Sequence, residues 1–207
     1  MTTRQKITEA ALSLFAEYGY KGTSVKQIAD AVGIKDASLY KHFKSKQEIL
    51  DSIVVLVKNH MTEVSGSLGI PKDSENQAIG KMFLNIEISE LKHISREMLR
   101  LYLTDPYLSK FWRLAHREQY QNEEIYSMFR RIFFEETLFY QTNIFAYLID
   151  NGIFIEANPT VVAMNFYSPI FLLLSMFDGQ LDKVDEAVTM LDKQIDEFVR
   201  IYSKEKY

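Results

Sequence analysis

A short stretch near the amino terminus combines apolar residues at a fixed spacing with polar residues that could bind a nucleic acid. Two crossed helices joined by a tight turn require a small residue, a glycine and apolar anchors, here Ala29, Gly33, Ile34, Leu39 and Phe43. The positions left outside are polar: Lys35, Asp36, Ser38, Lys41 and His42. A lysine there can donate to guanine O6 or N7, and a carboxylate can accept from cytosine N4. The predicted chemistry is hydrogen bonding to a polyanion and its bases.

The distribution of charge agrees with this interpretation, although the net charge of −4 does not. Residues 1–47 carry eight Lys and Arg against four Asp and Glu, a balance of +4, and the remaining residues carry 16 against 24, a balance of −8. A basic head on an acidic body indicates that the head alone meets a polyanion. Charge by itself leaves an ordinary solvated surface equally open.

Catalysis finds little support in the residue types. Cysteine is absent, the four histidines (His42, His60, His93 and His116) lack metal-ligand spacing, and no glycine-rich phosphate loop is present. No nucleophile has a recognisable base beside it. We therefore expect no catalytic residue, no metal site, no cofactor and no enzyme. Residues 1–6 lead into an amphipathic stretch and not an apolar signal core, which predicts a cytoplasmic protein.

The head is predicted to contain helices in quick succession. An apolar stripe from Ile7 to Tyr18 forms a first helix that Thr2 can cap and Gly19 can end. The sequence 24–27 is a capping box that opens a second helix, which Gly33 stops. A third helix is expected over about 35–43. A second capping box at 45–48 opens a fourth helix, expected to run from 46 to 60 and to be about 22 Å long.

The rest of the chain also has helical periodicity, and nothing in it predicts a sheet. A loop is expected at 65–72, followed by helices over 75–103, 106–122, 123–151 with a possible break, 159–177 and 184–203. Pro106 and Pro159 are predicted at first helical positions, with Gly152 and Gly179 as stops. The apolar run 161–177 is interrupted by polar residues and a proline, so we interpret it as a buried helix; a membrane span is the minor alternative.

The head resembles the DNA-binding head of the TetR family over roughly residues 4–52. The resemblance is carried by residues 15–20 (FAEYGY), 23–29 (TSVKQIA) and 33–46 (GIKDASLYKHFKSK). It implies an all-α protein with an amino-terminal three-helix helix-turn-helix DNA-binding head, residues 1–47, and a carboxy-terminal helical ligand-binding and dimerisation bundle, residues 48–207. The rest of the chain resembles the family in length and helical texture.

By that resemblance the third helix lies in the major groove of double-stranded operator DNA. Four residues fall where the family holds phosphates or the groove edge: Lys26, Tyr40, His42 and Lys46. Four form the variable base-contacting face: Lys35, Asp36, Ser38 and Lys41, of which Asp36 and Lys41 depart from the usual residues. A core role is equally open for Tyr40 and is favoured for Phe43. Lys46 opposes the dipole of the fourth helix, which favours a phosphate contact over plain solvation.

The body is rich in aromatics between Tyr102 and Tyr147, which either pack a core or line an apolar ligand pocket. The candidate pocket residues are Tyr102, Phe111, Trp112, His116, Tyr120, Phe133, Tyr140, Asn143 and Phe166. The pair Arg130 and Arg131 is expected to bridge to Glu135 and Glu136, with an acidic effector as the alternative.

The last two helices carry apolar stripes that predict a homodimer through a four-helix bundle. The candidate interface residues are Phe166, Ile170, Phe171, Leu174, Leu191, Ile195 and Phe198. The expected function is that of a homodimeric regulator, a repressor released from a palindromic operator by a small apolar or amphipathic molecule, without a membrane. The alternatives are a ligand-independent DNA-binding factor and a helical adaptor whose body recruits a protein.

Overall fold

The computed structural model describes residues 1–67 and 88–204, which form helices and no strand apart from one isolated bridge between Phe154 and Ser203. The all-α prediction is confirmed. These residues belong to two compact units, 1–64 with 106–129, and 65–105 with 130–207. This division follows from contacts between residues and does not test the predicted boundary after residue 47, which stays a prediction.

The first unit contains six helices within its described residues. They are α1 (Thr3–Tyr18), α2 (Val25–Val32), α3 (Asp36–Leu39), α4 (Lys46–Ser67), α6 (Leu108–Glu118) and α7 (Glu123–Arg130), the last residues of α4 and α7 lying at the borders of the unit. The second unit contains α5 (Ile88–Thr104), α8 (Thr137–Asp150), α9 (Pro159–Phe177) and α10 (Val184–Tyr202). A π-helical segment, Arg131–Glu136, precedes α8, and a short 3-10 turn, Leu181–Lys183, precedes α10.

Side-chain caps begin the first two helices as predicted. The Thr2 hydroxyl accepts from the Gln5 N–H at 3.2 Å, and the Ser24 hydroxyl accepts from the Gln27 N–H at 3.2 Å. In both boxes the glutamine side chain also accepts from the cap residue's own N–H. Each box satisfies amide groups that the first turn of a helix leaves without partners.

The start of α4 differs from the predicted box. The Ser45 hydroxyl accepts from the Glu48 N–H at 3.1 Å, but the Glu48 carboxylate accepts from the Lys44 N–H at 2.7 Å, one residue further back. The helix also extends to Ser67, so residues 65–67 of the predicted loop are helical and the rest of that loop lies outside the described residues. Its 22 residues correspond to about 33 Å at the usual rise.

The remaining predicted ends agree with the structure to within a few residues in most cases. α9 has the predicted bounds, with Pro159 at its first turn and the Asn158 side chain as its cap. α6 begins at Leu108 and not at Pro106, because Pro106 lies in the turn before the helix. Of the predicted helix 75–103, residues 75–87 lie outside the described residues. The possible break within 123–151 is the π-helical segment, where Arg130 and Arg131 pair with Glu135 and Glu136 as expected.

In the first unit, α1 packs on α2 and α6. Its buried side includes Ile7, Ala11, Leu12 and Phe15. Polar contacts accompany the α1–α6 packing: the Tyr107 hydroxyl donates to Glu9 at 3.0 Å, and the Lys110 ammonium donates to the Ser13 hydroxyl at 2.9 Å. The α6 helix is therefore fixed along the length of α1.

In the second unit, α9 packs against α8, α10 and α5. An aromatic cluster fills one part of this core, with Phe198 at ring-centroid distances of 5.0 Å from Phe166, 5.4 Å from Phe145 and 4.9 Å from Tyr202. By length and composition α9 could also cross a membrane: an 18-residue stretch of it has a mean hydropathy of 1.6 and is 39% buried. A core helix of a soluble protein passes the same test, so this is weak evidence for a span.

Candidate nucleic-acid interface

The turn between α2 and α3 has the geometry that the sequence predicts. Gly33 adopts a left-handed conformation, φ 73° and ψ 32°, and its N–H donates to the carbonyls of Ala29 and Asp30 at the end of α2. A residue with a Cβ is disfavoured in this region, which explains the glycine. Ile28, Ala29, Leu39 and Phe43 are buried beneath the two helices. Phe43 is thus a core residue, as favoured.

The predicted DNA-contacting residues lie mostly on the outside of this helix pair. Lys26, Lys35, Asp36 and Lys41 are exposed, Ser38 and His42 are half-buried. Tyr40 is 54% exposed, which excludes it from the core and leaves its hydroxyl accessible. Asp36 stands in the first turn of α3, where a carboxylate interacts favourably with the helix dipole. Their contacts with DNA stay predictions.

Arg4 binds the segment that follows α3, a role that its position in the sequence did not suggest. Its guanidinium donates to the backbone carbonyl of His42, lies 4.0 Å above the ring centre of Phe43, and pairs with Glu48 at 3.0 Å. The Lys44 N–H and the Arg4 guanidinium both hold the pKa of Glu48 below its ordinary value. Because these partners lie about 40 residues apart in the chain, local sequence patterns could not indicate the contact.

Lys46 is bound to backbone groups within its own unit. Its ammonium donates to the carbonyls of Tyr20 at 2.7 Å and Thr23 at 2.9 Å, and lies 4.3 Å from the centre of the Tyr20 ring. Burial lowers the pKa of Lys46, and the negative charge of Glu118 partly opposes this. An ammonium has three N–H donors, so one remains for a phosphate. The phosphate contact of Lys46 stays a prediction, and the residue holds the turn before α2.

The predicted pocket residues are divided between the two units. Phe111, Trp112, His116 and Tyr120 belong to the first, and Tyr102, Phe133, Tyr140, Asn143 and Phe166 to the second. Phe111 and Trp112 are buried in the core of the first unit, where the Trp112 and His116 rings lie 4.5 Å apart. Tyr120 is 87% exposed. Phe166 belongs to the aromatic cluster described above.

The second unit contains polar groups at buried positions that suit ligand contacts. The Tyr140 hydroxyl and the Asn143 side-chain nitrogen are buried without a hydrogen-bond partner among the described residues. Burial raises the pKa of Tyr140 to about 12, and it also raises the pKa of Tyr102 and of Tyr167. Tyr167, which the sequence did not single out, lies near Tyr102 and bonds to Thr137. An apolar environment with a few polar tips is typical of small-molecule sites.

The predicted interface residues are mostly buried within the single chain. Phe166, Leu174, Leu191, Ile195 and Phe198 lie in the core of the second unit, and Ile170 and Phe171 are half-buried. Within the single chain these five residues are covered by their own unit, and their predicted role in a dimer interface stays a prediction. The outward faces of α9 and α10 expose other apolar side chains: Val161, Met164, Leu172, Met176, Met190 and Ile201.

Comparison with known proteins agrees with this geometry. Residues 7–53 match the model of the tetR family of bacterial regulatory proteins. The HTH-type transcriptional repressor KstR2 of Rhodococcus jostii (strain RHA1) is 47% identical over 51 residues, which cover 25% of each chain. The negative transcriptional regulator IcaR of the biofilm operon icaADBC from Staphylococcus aureus is 41% identical over 61 residues, 30% of this chain and 33% of IcaR. The matches thus span a quarter to a third of these repressors.

Solved structures share the fold over nearly the whole chain. SmeT, the repressor of the Stenotrophomonas maltophilia multidrug efflux pump SmeDEF, is 20% identical with a TM-score of 0.65, over 99% of this chain and 92% of SmeT. AibR, solved in complex with isovaleryl coenzyme A and operator DNA, is 21% identical with a TM-score of 0.62, over 92% of this chain and 98% of AibR. At these identities the likeness establishes the fold.

The capped helix pair, its exposed basic residues and the matched domain together define a helix-turn-helix domain of the kind found in bacterial regulatory proteins. Residues 7–53 are thus similar to the amino-terminal domain of the tetR family of bacterial regulatory proteins, and the chain as a whole shares the fold of SmeT and AibR.

Proposed function

We propose that this chain is a cytoplasmic, homodimeric transcription repressor that binds a palindromic operator and leaves it when a small apolar or amphipathic molecule binds. The observation that carries the DNA-binding part is the fixed α2–α3 pair with Lys26, Lys35 and Lys41 on its exposed side. Lysines on the outside of a rigid helix pair can contact phosphates and base edges without refolding. The named repressors KstR2 and IcaR support the same function.

A salt titration tests the DNA-binding part without a known operator. Lys26 is exposed on α2. Lys26→Ala should therefore weaken binding to a random-sequence duplex and reduce the slope of log affinity against log salt concentration by about one. Lys193→Ala removes the same charge from the exposed face of α10 and should leave the slope unchanged. Equal slopes for wild type and both variants would contradict a phosphate contact by α2.

The dimer is proposed through the outward faces of α9 and α10. Exposed Val161, Met164, Leu172 and Met176 recur at helical spacing and form an apolar stripe on α9 that Ser168 interrupts. Such a stripe on a single chain marks an interaction surface. A second copy can cover it by an isologous contact, because the same stripe is present on both chains. The polar residues Asn165, Ser168 and Ser175 on the same face make a lipid partner the weaker interpretation.

Sedimentation at micromolar concentration tests this surface. Wild type should be a dimer, and Leu172→Glu should give a folded monomer, because a charge in an apolar interface is costly. Val55→Glu is a matched control, since Val55 and Leu172 are both 57% exposed and Val55 lies on α4. A monomeric wild type would contradict the proposal. A wild type that sediments only in association with detergent micelles would support a membrane partner instead.

The effector is proposed to bind in the second unit, near Tyr102, Phe133, Tyr140 and Tyr167. Among the described residues of this unit, the fully buried side chains include no charged one. Because a buried charge needs a partner, the buried part of the effector should be uncharged. Its polar atoms would bond to the Tyr140 hydroxyl and the Asn143 side-chain nitrogen, which have no hydrogen-bond partner among the described residues.

Thermal-shift screening of uncharged aromatic compounds, followed by titration with and without DNA, tests the effector site. Tyr140→Phe should slightly stabilise the free protein and weaken any hit, because it removes a buried hydroxyl that lacks a partner. Tyr120→Phe is the exposed control. A true effector should lower DNA affinity by about 5- to 150-fold, and DNA should lower effector affinity equally. Hits without this coupling, or no hits, would favour a ligand-independent factor whose body recruits a protein.

A further inference from the structure

The end of α6 inserts a buried carboxylate beside the turn between α1 and α2. Glu118 is the last residue of α6 and is 4% exposed. One of its carboxylate oxygens, Oε1, accepts from the Tyr20 N–H at 2.9 Å. The other, Oε2, is buried without a hydrogen-bond partner among the described residues. A buried carboxylate with one open oxygen interacts strongly with any nearby cation.

Gly19 allows this carboxylate to approach the backbone. Gly19 has φ +80°, and a Cβ at this position would lie 2.7 Å from the Glu118 Oε1 atom, closer than atoms in contact can approach. The positive φ therefore favours glycine here, and a side chain at this position would have to displace the Glu118 carboxylate. Arg117, the neighbouring residue, donates to the carbonyls of Ala16 and Glu17 at the end of α1. The end of α6 thus binds the backbone on both sides of Gly19.

The same turn carries the carbonyls that bind Lys46. Tyr20 donates its N–H to the Glu118 carboxylate, and its carbonyl accepts from the Lys46 ammonium. The carboxylate and the ammonium thus bind the same residue. The second carbonyl, of Thr23, immediately precedes Ser24, the cap of α2. Glu118, Lys46 and the start of α2 are thus joined by contacts with the same short turn.

We infer that Glu118 is a positioning residue for DNA binding. Glu118 holds the turn at Tyr20 and keeps the Lys46 ammonium on the turn carbonyls. The end of α6 thereby controls how Lys46 contacts a phosphate. The inference rests on the proposed DNA-binding function.

A double-mutant cycle between Glu118 and Lys46 tests this inference. Glu118→Gln keeps an oxygen for the Tyr20 N–H but removes the charge that attracts the Lys46 ammonium. It should tighten binding to a random-sequence 30-base-pair duplex by about two- to fivefold, the range of a partly exposed charge pair. In the Lys46→Met background the same change should have no effect, because the ammonium through which it acts is missing.

Glu17→Gln is the matched control, since it removes one negative charge from the exposed end of α1. Its small effect should be equal in both backgrounds. Melting temperatures of all variants confirm folding. Should Glu118→Gln fail to fold, Glu118→Asp retracts the charge by one methylene and should give a smaller tightening that again vanishes with Lys46→Met.

An equal tightening by Glu118→Gln in both backgrounds would overturn the inference and leave the proposed function standing. Weaker binding by Glu118→Gln would also overturn it. A folded wild type that does not bind the duplex at low salt would instead reject the proposed function, and the inference with it.

Discussion

Charged side chains act differently in the two units. In the first unit they bind backbone carbonyls at the ends of helices: Arg4 binds His42, Lys46 binds Tyr20 and Thr23, and Arg117 binds Ala16 and Glu17. In the second unit charged side chains of α5 and α10 pair with each other. The pairs are Lys92–Asp196 at 2.6 Å, Arg96–Asp192 at 2.7 Å and Arg100–Asp185 at 2.7 Å.

This difference suits the two proposed tasks. A cation on a backbone carbonyl fixes one turn in one position, as a base-contacting helix pair requires. A row of ion pairs along two antiparallel helices adds little stability per pair and can be remade after a small shift. The first unit is thus held in a defined geometry by backbone contacts, whereas the second depends on its aromatic core. The following predictions test that contrast, from the largest expected effect to the smallest.

Removal of an aromatic ring from the core of the second unit should have the largest effect. Phe198→Ala should lower the free energy of unfolding by about 3–5 kcal/mol, because it leaves a cavity among Phe145, Phe154 and Phe166. Phe139→Ala, at a position that is 66% exposed, should change it by less than about 0.5 kcal/mol. Urea denaturation measures both. Similar losses for the two variants would contradict the assigned core.

Removal of a backbone-bound cation from the first unit should have the next effect. Lys46→Met keeps most of the apolar stem but leaves the Tyr20 and Thr23 carbonyls without their donor, which should cost about 2–3 kcal/mol. Lys44→Met, at an exposed position, should cost less than about 0.5 kcal/mol. A loss for Lys46→Met as small as that of Lys44→Met would mean that this cation does not hold the turn.

Breaking the ion-pair row should have a smaller effect that depends on salt. Arg96→Ala removes a bidentate contact with Asp192 and should cost about 0.2–1 kcal/mol at low salt, because both partners are partly exposed. The cost should fall further in 1 M salt, which screens exposed charges. Urea denaturation at two salt concentrations measures this. A salt-independent loss above 2 kcal/mol would place the pair among the core contacts.

The smallest expected effect is the pH dependence of Glu48, which tests a carboxylate held by a backbone N–H. The Lys44 N–H first, and then Arg4, hold the pKa of Glu48 below its ordinary value of 4.5. A lowered folded-state pKa means that the contribution to stability is present above pH 4.5 and is lost as the pH falls through the lowered pKa. Carbon NMR of the Glu48 carboxyl should show this lowered midpoint. A midpoint at or above 4.5 would contradict the contact.

Local signals made the head predictable from its sequence. The boxes Thr2–Gln5 and Ser24–Gln27 close within three residues, and Gly33 needs a left-handed conformation whatever surrounds it. The roles of Arg4 and Glu118 could not be predicted, because their partners lie about 40 and 98 residues away in the chain. Nothing in a local pattern connects such positions.

In the body, too, the sequence does not show which residues contact each other. α9 is apolar nearly all round, so its sequence does not indicate which side faces its own chain, and the residues assigned to the dimer interface, such as Leu174 and Phe166, proved to be core. The exposed stripe that includes Leu172 became visible when the neighbouring helices were in place. Aromatic density likewise did not separate Phe111 and Trp112, which pack the first unit, from Tyr102 and Tyr140, which lie in the second.

Selection from a random duplex library tests the central claim, sequence-specific DNA binding by the α2–α3 pair, most directly. Wild type should enrich a two-fold symmetric sequence whose half-sites are about 34–36 Å apart, or a multiple of that spacing. Lys35→Ala or Ser38→Ala should change the preference at one base pair of each half-site by about 1–3 kcal/mol, while Lys26→Ala should weaken binding without changing the sequence. If the folded wild-type protein enriches no sequence, or if Lys26→Ala shifts the preference while the α3 variants do not, the account is contradicted.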